Sequence, residues 1–243
     1  MASDQGGSVS PAWSVASIIT SQLKDLTSNG HARNVGDSMM VSKQHWERVY
    51  QTKSADAVSW YREHLDTSLD MIAEALPDRE AAIIDIGGGE ATLVDDLLAQ
   101  GYRKLTVLDI STAAIEVAKQ RLSSQATQVT WLAADILQAS LPEQHFDLWH
   151  DRALFHFLTT AEQRATYVHQ LTRSLKPGGH VIIATFSLQG PEQCSGLDVL
   201  RYDAASLLHA LGPRFDLIDS ALELHRTPFG TTQSFTYCHC RLA

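Results

Sequence analysis

Short apolar runs and longer periodic segments alternate along the chain between residues 81 and 186. The apolar runs cover residues 81–86, 104–109, 129–133, 146–150 and 180–186. Segments with apolar residues at helical spacing cover residues 91–100, 112–123 and 161–175. Short apolar runs are typical of buried strands, and the periodic segments are typical of amphipathic helices. Their alternation predicts right-handed crossovers and a parallel sheet.

The C-terminal part of the chain departs from this alternation. Residues 203–211 predict a helix, and two extended stretches follow at 215–225 and 233–241. The stretches are joined by Pro228-Phe229-Gly230, and a connection that short makes neighbouring strands antiparallel. The pattern therefore predicts an α/β fold with a doubly wound, mostly parallel sheet that ends in an antiparallel strand pair.

The segment before the first predicted strand contains two predicted helices, 44–50 and 57–76. Residues 1–43 are rich in Ser, Thr, Gly and Asn, with one modest apolar stretch from Trp13 to Leu26. This stretch has helical spacing, so residues 1–43 are interpreted as a flexible extension or as a partly helical segment that caps a pocket. Residues 44–243 are predicted to form a single domain.

Composition and charge narrow the class of partner. The chain has 243 residues, with 28 Asp and Glu against 19 Lys and Arg, which gives a formal net charge of −9. Nucleic-acid binding relies on clustered Lys and Arg, so this balance argues against it and favours a small, neutral or cationic partner. No apolar run approaches the roughly 20 residues of a membrane span, and the first residues lack a secretory signal. We therefore expect a cytoplasmic protein without a membrane partner.

The three cysteines, Cys194, Cys238 and Cys240, are too few for a disulfide framework, which favours a reducing compartment. Cys238 and Cys240 share one face of a predicted strand and, with Cys194, offer soft ligands for a metal. The sequence has neither a Cys-x-x-Cys pair nor an evident set of four ligands. We therefore expect no metal site.

Three of the predicted strands end in residues suited to binding a nucleoside. Residues 87–89 are three glycines that follow the first strand and let the backbone approach a ligand closely. Asp109 closes the second strand, 22 residues beyond Gly87, where a carboxylate can accept hydrogen bonds from both hydroxyls of a ribose. Asp135 follows the third strand, where it can accept a hydrogen bond from the amine of adenine. Because the carboxyl ends of parallel strands share one edge of a sheet, these features predict one ligand site.

The glycine turn argues against a nucleotide that carries phosphates. A dinucleotide site needs a third glycine where this chain has Thr92, and the turn lacks the Gly-Lys-Ser/Thr ending of a triphosphate-binding loop. Glu90 follows the glycines directly and would repel a pyrophosphate. A nucleoside without phosphates and with a positive charge fits this turn better, and S-adenosylmethionine meets that description.

Residues 81–186 resemble the cofactor domain of class I S-adenosylmethionine-dependent methyltransferases. The matching motifs are Ile83-Ile84-Asp85-Ile86-Gly87-Gly88-Gly89, Val107-Leu108-Asp109-Ile110-Ser111, Ala134-Asp135-Ile136, Phe146-Asp147-Leu148 and Leu175-Lys176-Pro177-Gly178-Gly179-His180. The chain departs from the family at Ala91, where many members have glycine. The resemblance implies a Rossmann-like methyltransferase fold with a seven-stranded sheet, and S-adenosylmethionine as the cofactor.

The resemblance also implies which residues hold the cofactor. By similarity, Asp85, Gly87 and Gly89 hold its methionine part, and Gly88 also binds the cofactor. Asp109 holds the ribose, Asp135 with Ile136 holds the adenine, and Ile110 also binds the cofactor.

Residues 45–50 and 59–61 resemble the lid of small-molecule and lysine methyltransferases of this class. Aromatic residues of that lid close over the cofactor, and aromatic rings also attract a sulfonium through cation–π contact. Residues 44–76 are therefore expected to form a helical lid in which Trp46, Tyr50 and Trp60 bind the cofactor. In the alternative interpretation, Trp46 and Trp60 are ordinary core residues.

The loop after the fourth predicted strand, residues 149–156, faces the methyl group in this fold. His150 is a candidate general base near neutral pH, and Asp151 would position it. In the alternative interpretation, His150 contacts the cofactor or caps the following helix, and Asp151 pairs with Arg152. Arg201 and Tyr202 follow the fifth strand. They either reach the substrate or have a structural role at the surface, such as an ion pair.

Three hypotheses for the function follow. The first is methyl transfer to a small molecule, with a slight preference for a thiol or sulfide because such groups ionise readily. The second is a protein lysine methyltransferase, since an acidic surface attracts a basic protein segment. The third is a scaffold or sensor that binds S-adenosylmethionine without turnover.

Overall fold

The structure is a computed structural model that describes Met1 and residues 35–243, with side chains described for Met1 and from residue 43 onward. The chain divides into two compact units, Met1–Met40 and Val41–Ala243. In the first unit the description covers Met1 and the backbone of residues 35–40. The apolar stretch from Trp13 to Leu26 lies outside the described residues, and the expectation for residues 1–43 stays a prediction.

Seven strands form one sheet in the order β3-β2-β1-β4-β5-β9-β8. They are β1 (Ala82–Ile86), β2 (Lys104–Asp109), β3 (Val129–Ala133), β4 (Phe146–Arg152), β5 (Leu175–Phe186), β8 (Phe215–Arg226) and β9 (Thr232–Leu242). Two short strands, β6 (Gln193–Cys194) and β7 (Leu197–Asp198), pair with each other. The first five strands are parallel, and β9 runs antiparallel to both of its neighbours. The predicted fold class is confirmed.

Six α-helices connect or flank these strands in the described part of the chain. They are α1 (Val35–Thr52), α2 (Asp66–Ala75), α3 (Leu93–Ala99), α4 (Thr112–Leu122), α5 (Ala161–Ser174) and α6 (Ala204–Leu211). None of the helices in the described residues is long and apolar enough to cross a membrane. Side-chain caps begin three of them, because Ser111, Thr160 and Asp203 each accept a hydrogen bond from a backbone N–H in the first turn.

The single helix predicted over residues 57–76 is wrong, since α2 covers only Asp66–Ala75. Backbone carbonyls of the preceding residues bond to side chains that are distant in sequence instead of to helical N–H groups. Trp60 O accepts from an Arg152 Nη1–H at 3.1 Å, and Glu63 O accepts from the Thr92 hydroxyl at 2.8 Å. Residues 58–65 therefore run as an irregular segment in spite of their helical spacing.

β4 extends to Arg152, two residues beyond its predicted end at His150. It lies between β1 and β5, and Asp151 pairs with Ile86 on one side and with Ile183 on the other. Ladder bonds on both sides hold these last residues in extended conformation, although they are polar. The side chains of His150 and Asp151 consequently point to opposite faces of the sheet.

The two faces of the sheet carry separate apolar cores. On the first face, Ile83 and Leu148 pack with Met71 and Ile72 of α2. On the second face, Ile84, Trp149 and Ile183 pack with helices α5 and α6 through the buried residues Tyr167, Leu171, Leu207 and Leu211. Since side chains alternate along β1 and β4, Asp85 and His150 belong to the first face, and Asp151 belongs to the second.

Candidate active site

The glycine turn after β1 has a backbone that favours glycine. Gly87 and Gly89 have φ angles of +68° and +49°, in the left-handed region. At Gly88 a Cβ atom would lie 2.5 Å from Oδ2 of Asp85. The turn therefore brings its backbone and the Asp85 carboxylate closer together than any side chain at position 88 permits.

Asp109 ends β2 next to this turn and is 5% exposed. Its Oδ1 accepts a hydrogen bond from the Ser111 N–H at 2.8 Å. Burial raises the pKa of Asp109 to about 7, and the nearby charge of Asp85 acts in the same direction, against the hydrogen bonds from Ser111 and Gly89. A ligand that donates further hydrogen bonds to this carboxylate would stabilise its ionised form.

Asp135 and Ile136 lie where the third strand leaves the sheet. Asp135 is partly exposed, and its Oδ1 accepts a hydrogen bond from the Leu137 N–H at 2.8 Å. Ile136 is buried, whereas Ile110, just after β2, is partly exposed. The strand order places β3, β2 and β1 side by side, so Asp135, Asp109 and Asp85 follow or end adjacent strands at one edge of the sheet.

The aromatic residues predicted for the lid form one cluster. The ring of Trp46 lies 5.9 Å from that of Trp60 and 6.1 Å from that of Tyr50, measured between centroids. A Cβ atom at Gly89 would lie 2.9 Å from the hydroxyl of Tyr50, so α1 closes against the glycine turn. The lid role of residues 44–76 and cofactor contact by these rings stay predictions that this arrangement supports.

Glu47 fastens α1 to the start of α4. Its carboxylate accepts hydrogen bonds from the Thr112 N–H at 2.8 Å, the Ala113 N–H at 3.1 Å and the Ser111 hydroxyl at 3.0 Å. Burial raises the pKa of Glu47, but these hydrogen bonds outweigh it and leave the pKa below its usual value. The ionised Glu47 thus satisfies free N–H groups of a helix N-terminus that lies beside Asp109.

The partner of His150 is Asp85, not Asp151 as the sequence predicts. His150 Nδ1 lies 2.7 Å from Asp85 Oδ1, and Nε2 lies 2.9 Å from the Ser68 hydroxyl of α2. His150 is 1% exposed. Both ring nitrogens are therefore engaged, and a role of His150 in catalysis stays a prediction.

Asp151 serves the second face of the sheet. Its carboxylate accepts hydrogen bonds from the Tyr167 hydroxyl at 2.5 Å, from the Leu154 N–H at 3.0 Å and from the Phe155 N–H at 3.2 Å. Burial raises the pKa of Asp151 to about 6 against the effect of these bonds. The expected Asp151–His150 pair is wrong in geometry because neighbouring residues of a strand face opposite ways.

A cavity beside the glycine turn opens partly to solvent, and its empty space together with the solvent at its mouth amounts to about 520 Å³. Six residues predicted to bind the cofactor or act in catalysis line it, namely Tyr50, Trp60, Asp85, Gly87, Gly88 and His150. The other lining residues are Ala55, Val58, Tyr61, Arg62, Leu65, Glu90, Ala91 and Arg152. The cavity thus joins the glycine turn to His150 and to two arginines.

Glu90 has an incompletely bonded carboxylate in this cavity. It is 6% exposed, and its Oε1 has no hydrogen-bond partner among the described residues. Burial raises the pKa of Glu90 to about 7, although Arg121 lowers it. A cationic ligand group beside this oxygen would restore the ionised state.

Several residues in or next to the cavity lining had no signal in the sequence. Ser68, Arg62 and Glu223 lie in different parts of the chain. Only the packing of α2 on the first face and the place of β8 at the edge of the sheet bring them close to His150 and Arg152. The alternative interpretation paired Arg152 with Asp151, but Arg152 bonds to Trp60 O, Tyr237 and Glu223 instead.

Arg201 and Tyr202 are placed away from the cavity lining. Arg201 pairs with Glu192 at 2.8 Å, and Tyr202 is buried in the core of the second face. The three cysteines are buried as well, and burial raises the pKa of Cys238 to about 12 and that of Cys240 to about 11. Neutral thiols are poor metal ligands, since metals bind the thiolate.

These residues fit a phosphate-free adenosyl cation. The turn has no room for a Cβ at Gly88, so its backbone can approach a ligand closely. Hydrogen bonds donated by a ligand would stabilise the ionised form of Asp109. The Glu90 oxygen without a partner among the described residues would be stabilised by a positive charge. By the same chemistry Asp109 would hold the ribose, Asp135 would hold the adenine, and Asp85 with Glu90 would face the methionine part. Two buried carboxyls beside the turn would disfavour a pyrophosphate.

Comparison with known proteins agrees with this fit. The family profile described as "Methyltransferase domain" matches residues 83–179, which contain the glycine turn, Asp109, Asp135 and His150. The chain carries a class I S-adenosylmethionine-dependent methyltransferase domain. The resemblance stated from the sequence is thereby confirmed, together with the cofactor of the family.

Two curated relatives of this methyltransferase domain have different acceptors in their names. The mouse (Mus musculus) "eEF1A lysine and N-terminal methyltransferase" is 26% identical over 141 residues, which is 58% of this chain and 20% of the mouse protein. The "Malonyl-[acyl-carrier protein] O-methyltransferase" of Anoxybacillus flavithermus is 33% identical over 153 residues, which is 60% of this chain and 56% of the bacterial protein. The chain therefore spans a fifth to about half the length of these relatives.

A solved structure shows the same fold. The N-methyltransferase NodS from Bradyrhizobium japonicum, in complex with S-adenosyl-L-homocysteine, superimposes with a TM-score of 0.62 at 18% identity. The match covers 81% of this chain and 97% of NodS. At this identity the likeness establishes the sheet architecture of the methyltransferase domain and leaves its acceptor open.

Proposed function

We propose that this chain transfers a methyl group from S-adenosylmethionine to a small-molecule nucleophile, with a thiol or sulfide as the favoured acceptor. When bound, the cofactor supplies an electrophilic methyl group on a positively charged sulfur. The chain's own residues hold that cofactor at the glycine turn and exclude water with the aromatic cluster of Trp46, Tyr50 and Trp60.

The observation that carries the thiol preference is the engagement of His150. Its two ring nitrogens bond to Asp85 and to Ser68 inside the protein, so the imidazole has no nitrogen left for an acceptor proton. A thiol has a pKa near 8.5 and ionises in part at neutral pH, whereas an amine of lysine type has a pKa near 10.4. A nucleophile that arrives already ionised needs only alignment with the methyl carbon.

A protein lysine is the second candidate acceptor. The name of the mouse relative favours it, and the net charge of −9 would attract a basic segment. Arg62 and Arg152 in the cavity lining oppose it, because two guanidinium groups disfavour the approach of a further cation. Binding of S-adenosylmethionine without turnover is the third candidate.

Incubation with S-adenosylmethionine labelled in its methyl group separates these candidates. A panel of thiols tests the first, a cell lysate tests the second, and an Asp109→Asn variant serves as the control with weakened cofactor binding. Label on a thiol supports the proposal, a labelled protein band supports the lysine candidate, and cofactor binding without any labelled product supports the third.

We also propose a reducing, cytoplasmic setting and a small-molecule partner rather than a nucleic acid or a membrane. The three free cysteines support the first point. The acidic charge balance supports the second.

A further inference from the structure

Two arginines in the cavity share one buried carboxylate. Arg62 Nη1 lies 3.2 Å from Glu223 Oε1, and Arg152 Nη2 lies 3.5 Å from the same oxygen. The side chains of Arg152 and Glu223 are only 6% and 7% exposed, and that of Arg62 is 26% exposed. Both arginines line the cavity that also contains His150 and the glycine turn.

This cluster contains two guanidinium groups and two carboxylates, of which only Glu223 is buried. Burial raises the pKa of Glu223, but the hydrogen bond from Thr67 and the charges of Arg152 and Arg62 lower it below its usual value, so Glu223 is ionised. The other carboxylate in contact, Asp66, pairs with Arg62 but is 69% exposed, and water screens it. Within the buried part of the cluster, two guanidinium groups therefore share one carboxylate, and a ligand carboxylate would add charge-assisted hydrogen bonds to them.

Arg152 is held by several contacts and still has N–H groups without a partner among the described residues. Its Nε–H donates to the Tyr237 hydroxyl at 3.0 Å, Nη1 donates to Trp60 O, and Nη2 approaches Glu223. The guanidinium also stacks on Phe235, 4.5 Å from the ring centroid. In the described residues these partners use three of the five N–H groups of the arginine, so two remain for a ligand.

The cluster lies on the other half of the sheet from the cofactor carboxylates. Asp85, Asp109 and Asp135 belong to the end of the sheet formed by β1, β2 and β3, whereas Arg152 is on β4 and Glu223 is on the edge strand β8. Four strand spacings separate β8 from β1, which is about 19 Å. Arg152 thus lies one strand beyond Asp85, in the direction of the β8 edge, and Glu223 reaches it from that edge.

We propose that the methyl acceptor carries a carboxylate, which Arg152 and Arg62 bind in this cavity. This inference rests on the proposed small-molecule methyl transfer and adds the chemical class of the substrate. A planar guanidinium fork with free N–H groups matches a carboxylate, and charge-assisted hydrogen bonds are stronger than neutral ones. The apolar lining of Ala55, Val58 and Leu65 suits a short hydrocarbon part.

Binding of two product analogues tests the proposal without turnover. The probes are 3-(methylthio)propionate and 3-(methylthio)propan-1-ol, which share the sulfur and the chain length and differ in charge. Calorimetry is done with the full chain saturated with S-adenosylhomocysteine. We expect the carboxylate to bind about tenfold or more tightly than the alcohol, the range for a hydrogen bond to a charged group. Equal affinity for the two probes overturns the proposal.

Variants assign the preference to the two arginines. Arg62→Gln is the main variant because its side chain is partly exposed, and Arg152→Lys keeps the charge while it removes the fork. Arg173→Gln, which removes a surface arginine paired with Glu143, is the matched control. We expect the preference for the carboxylate to fall in both cavity variants and to persist in the control. A preference that stays unchanged in both cavity variants overturns the proposal.

Two further outcomes separate this inference from neighbouring explanations. If Arg62→Gln weakens binding of S-adenosylhomocysteine but not of 5′-methylthioadenosine, and the probes bind equally, the arginines hold the cofactor's own carboxylate and the inference is overturned. If no thiol is methylated while the charge preference and its loss in the variants remain, the anion site stands and the proposed function fails.

Discussion

His150 Nδ1 lies 2.7 Å from Oδ1 of Asp85, and the two residues are paired across the adjacent parallel strands β4 and β1. The other ring nitrogen contacts Ser68 of α2. This arrangement connects Asp85, two residues before Gly87, to the helix that packs on the first face of the sheet. His150 therefore acts as a positioning residue for Asp85 in the proposed mechanism.

This role predicts the behaviour of a His150→Gln variant. Because the substitution loosens Asp85, the affinity for S-adenosylhomocysteine should weaken by about 1–3 kcal/mol, and turnover should fall with it. Ser68→Ala should have the same effect in a smaller degree. Cofactor affinity and kcat are measured for both variants. Unchanged affinity with a lost kcat would instead assign His150 to the chemical step.

Asp109 should govern cofactor binding through its carboxylate. Asp109→Ala removes the proposed acceptor for the ribose hydroxyls, so binding should weaken by about 1–3 kcal/mol. The measurement is the rise in Tm that S-adenosylhomocysteine produces, which should shrink in this variant. Asp216→Ala, at an exposed position of β8, is the control and should keep the full rise. Equal ligand effects in the two variants count against the assignment.

The raised pKa of Glu90 predicts that the free energy of unfolding depends on pH. Burial raises its pKa from 4.5 to about 7, so the folded chain retains a proton that the unfolded chain releases. The contribution of Glu90 to the free energy of unfolding therefore falls as the pH rises through this interval, by roughly 3 kcal/mol at most. Glu90→Gln should raise Tm relative to the unmodified chain at about pH 8 and change it little at about pH 4.5. A Tm difference that does not vary with pH contradicts this account.

Glu47 should control how fast the cofactor leaves. Its carboxylate joins α1 to the N-terminus of α4, and loss of a cap of this kind destabilises by about 1 kcal/mol. Glu47→Ala should speed dissociation of S-adenosylhomocysteine several-fold, monitored by stopped-flow fluorescence of the nearby Trp46. Glu116→Ala, which removes an exposed carboxylate of α4 that pairs with Lys119, is the control. If both variants release the ligand at the rate of the unmodified chain, α1 does not act as a lid.

Tyr167 and Asp151 should affect stability and leave the cofactor site intact. The Tyr167 hydroxyl donates to Asp151 and accepts from Trp149 Nε1 at 2.8 Å, all within the buried core of the second face. Tyr167→Phe should lower the free energy of unfolding by about 1–3 kcal/mol in urea denaturation. The affinity for S-adenosylhomocysteine should stay the same, and a marked loss would link Asp151 to the ligand.

The sequence predicts the cofactor end of the site because its signals are local. Each signal lies within one short motif that contains a strand and the turn after it. The first motif is the apolar run with Asp85 and the three glycines, and the second is the strand that ends at Asp109. Parallel strand ends meet at one edge, so these motifs are brought together by any doubly wound sheet.

The acceptor end depends on contacts between distant parts of the chain. Thr67 and Glu223 are hydrogen-bonded although they are 156 residues apart, and no local pattern indicates which residue of edge strand β8 faces the cavity. The predicted His150–Asp151 pair is wrong because both residues belong to β4, which extends to Arg152. The sequence prediction ended this strand at His150. Side chains that alternate along a strand then separate the two residues.

Calorimetric titration of the purified chain with S-adenosylhomocysteine tests the central claim most directly, namely that an adenosyl ligand binds across the ends of β1, β2 and β3. The account predicts saturable binding of one ligand per chain, and the same titration of Asp109→Ala should show a clearly weaker affinity. The absence of any heat of binding from either S-adenosylhomocysteine or S-adenosylmethionine, with a folded protein in the cell, would contradict it.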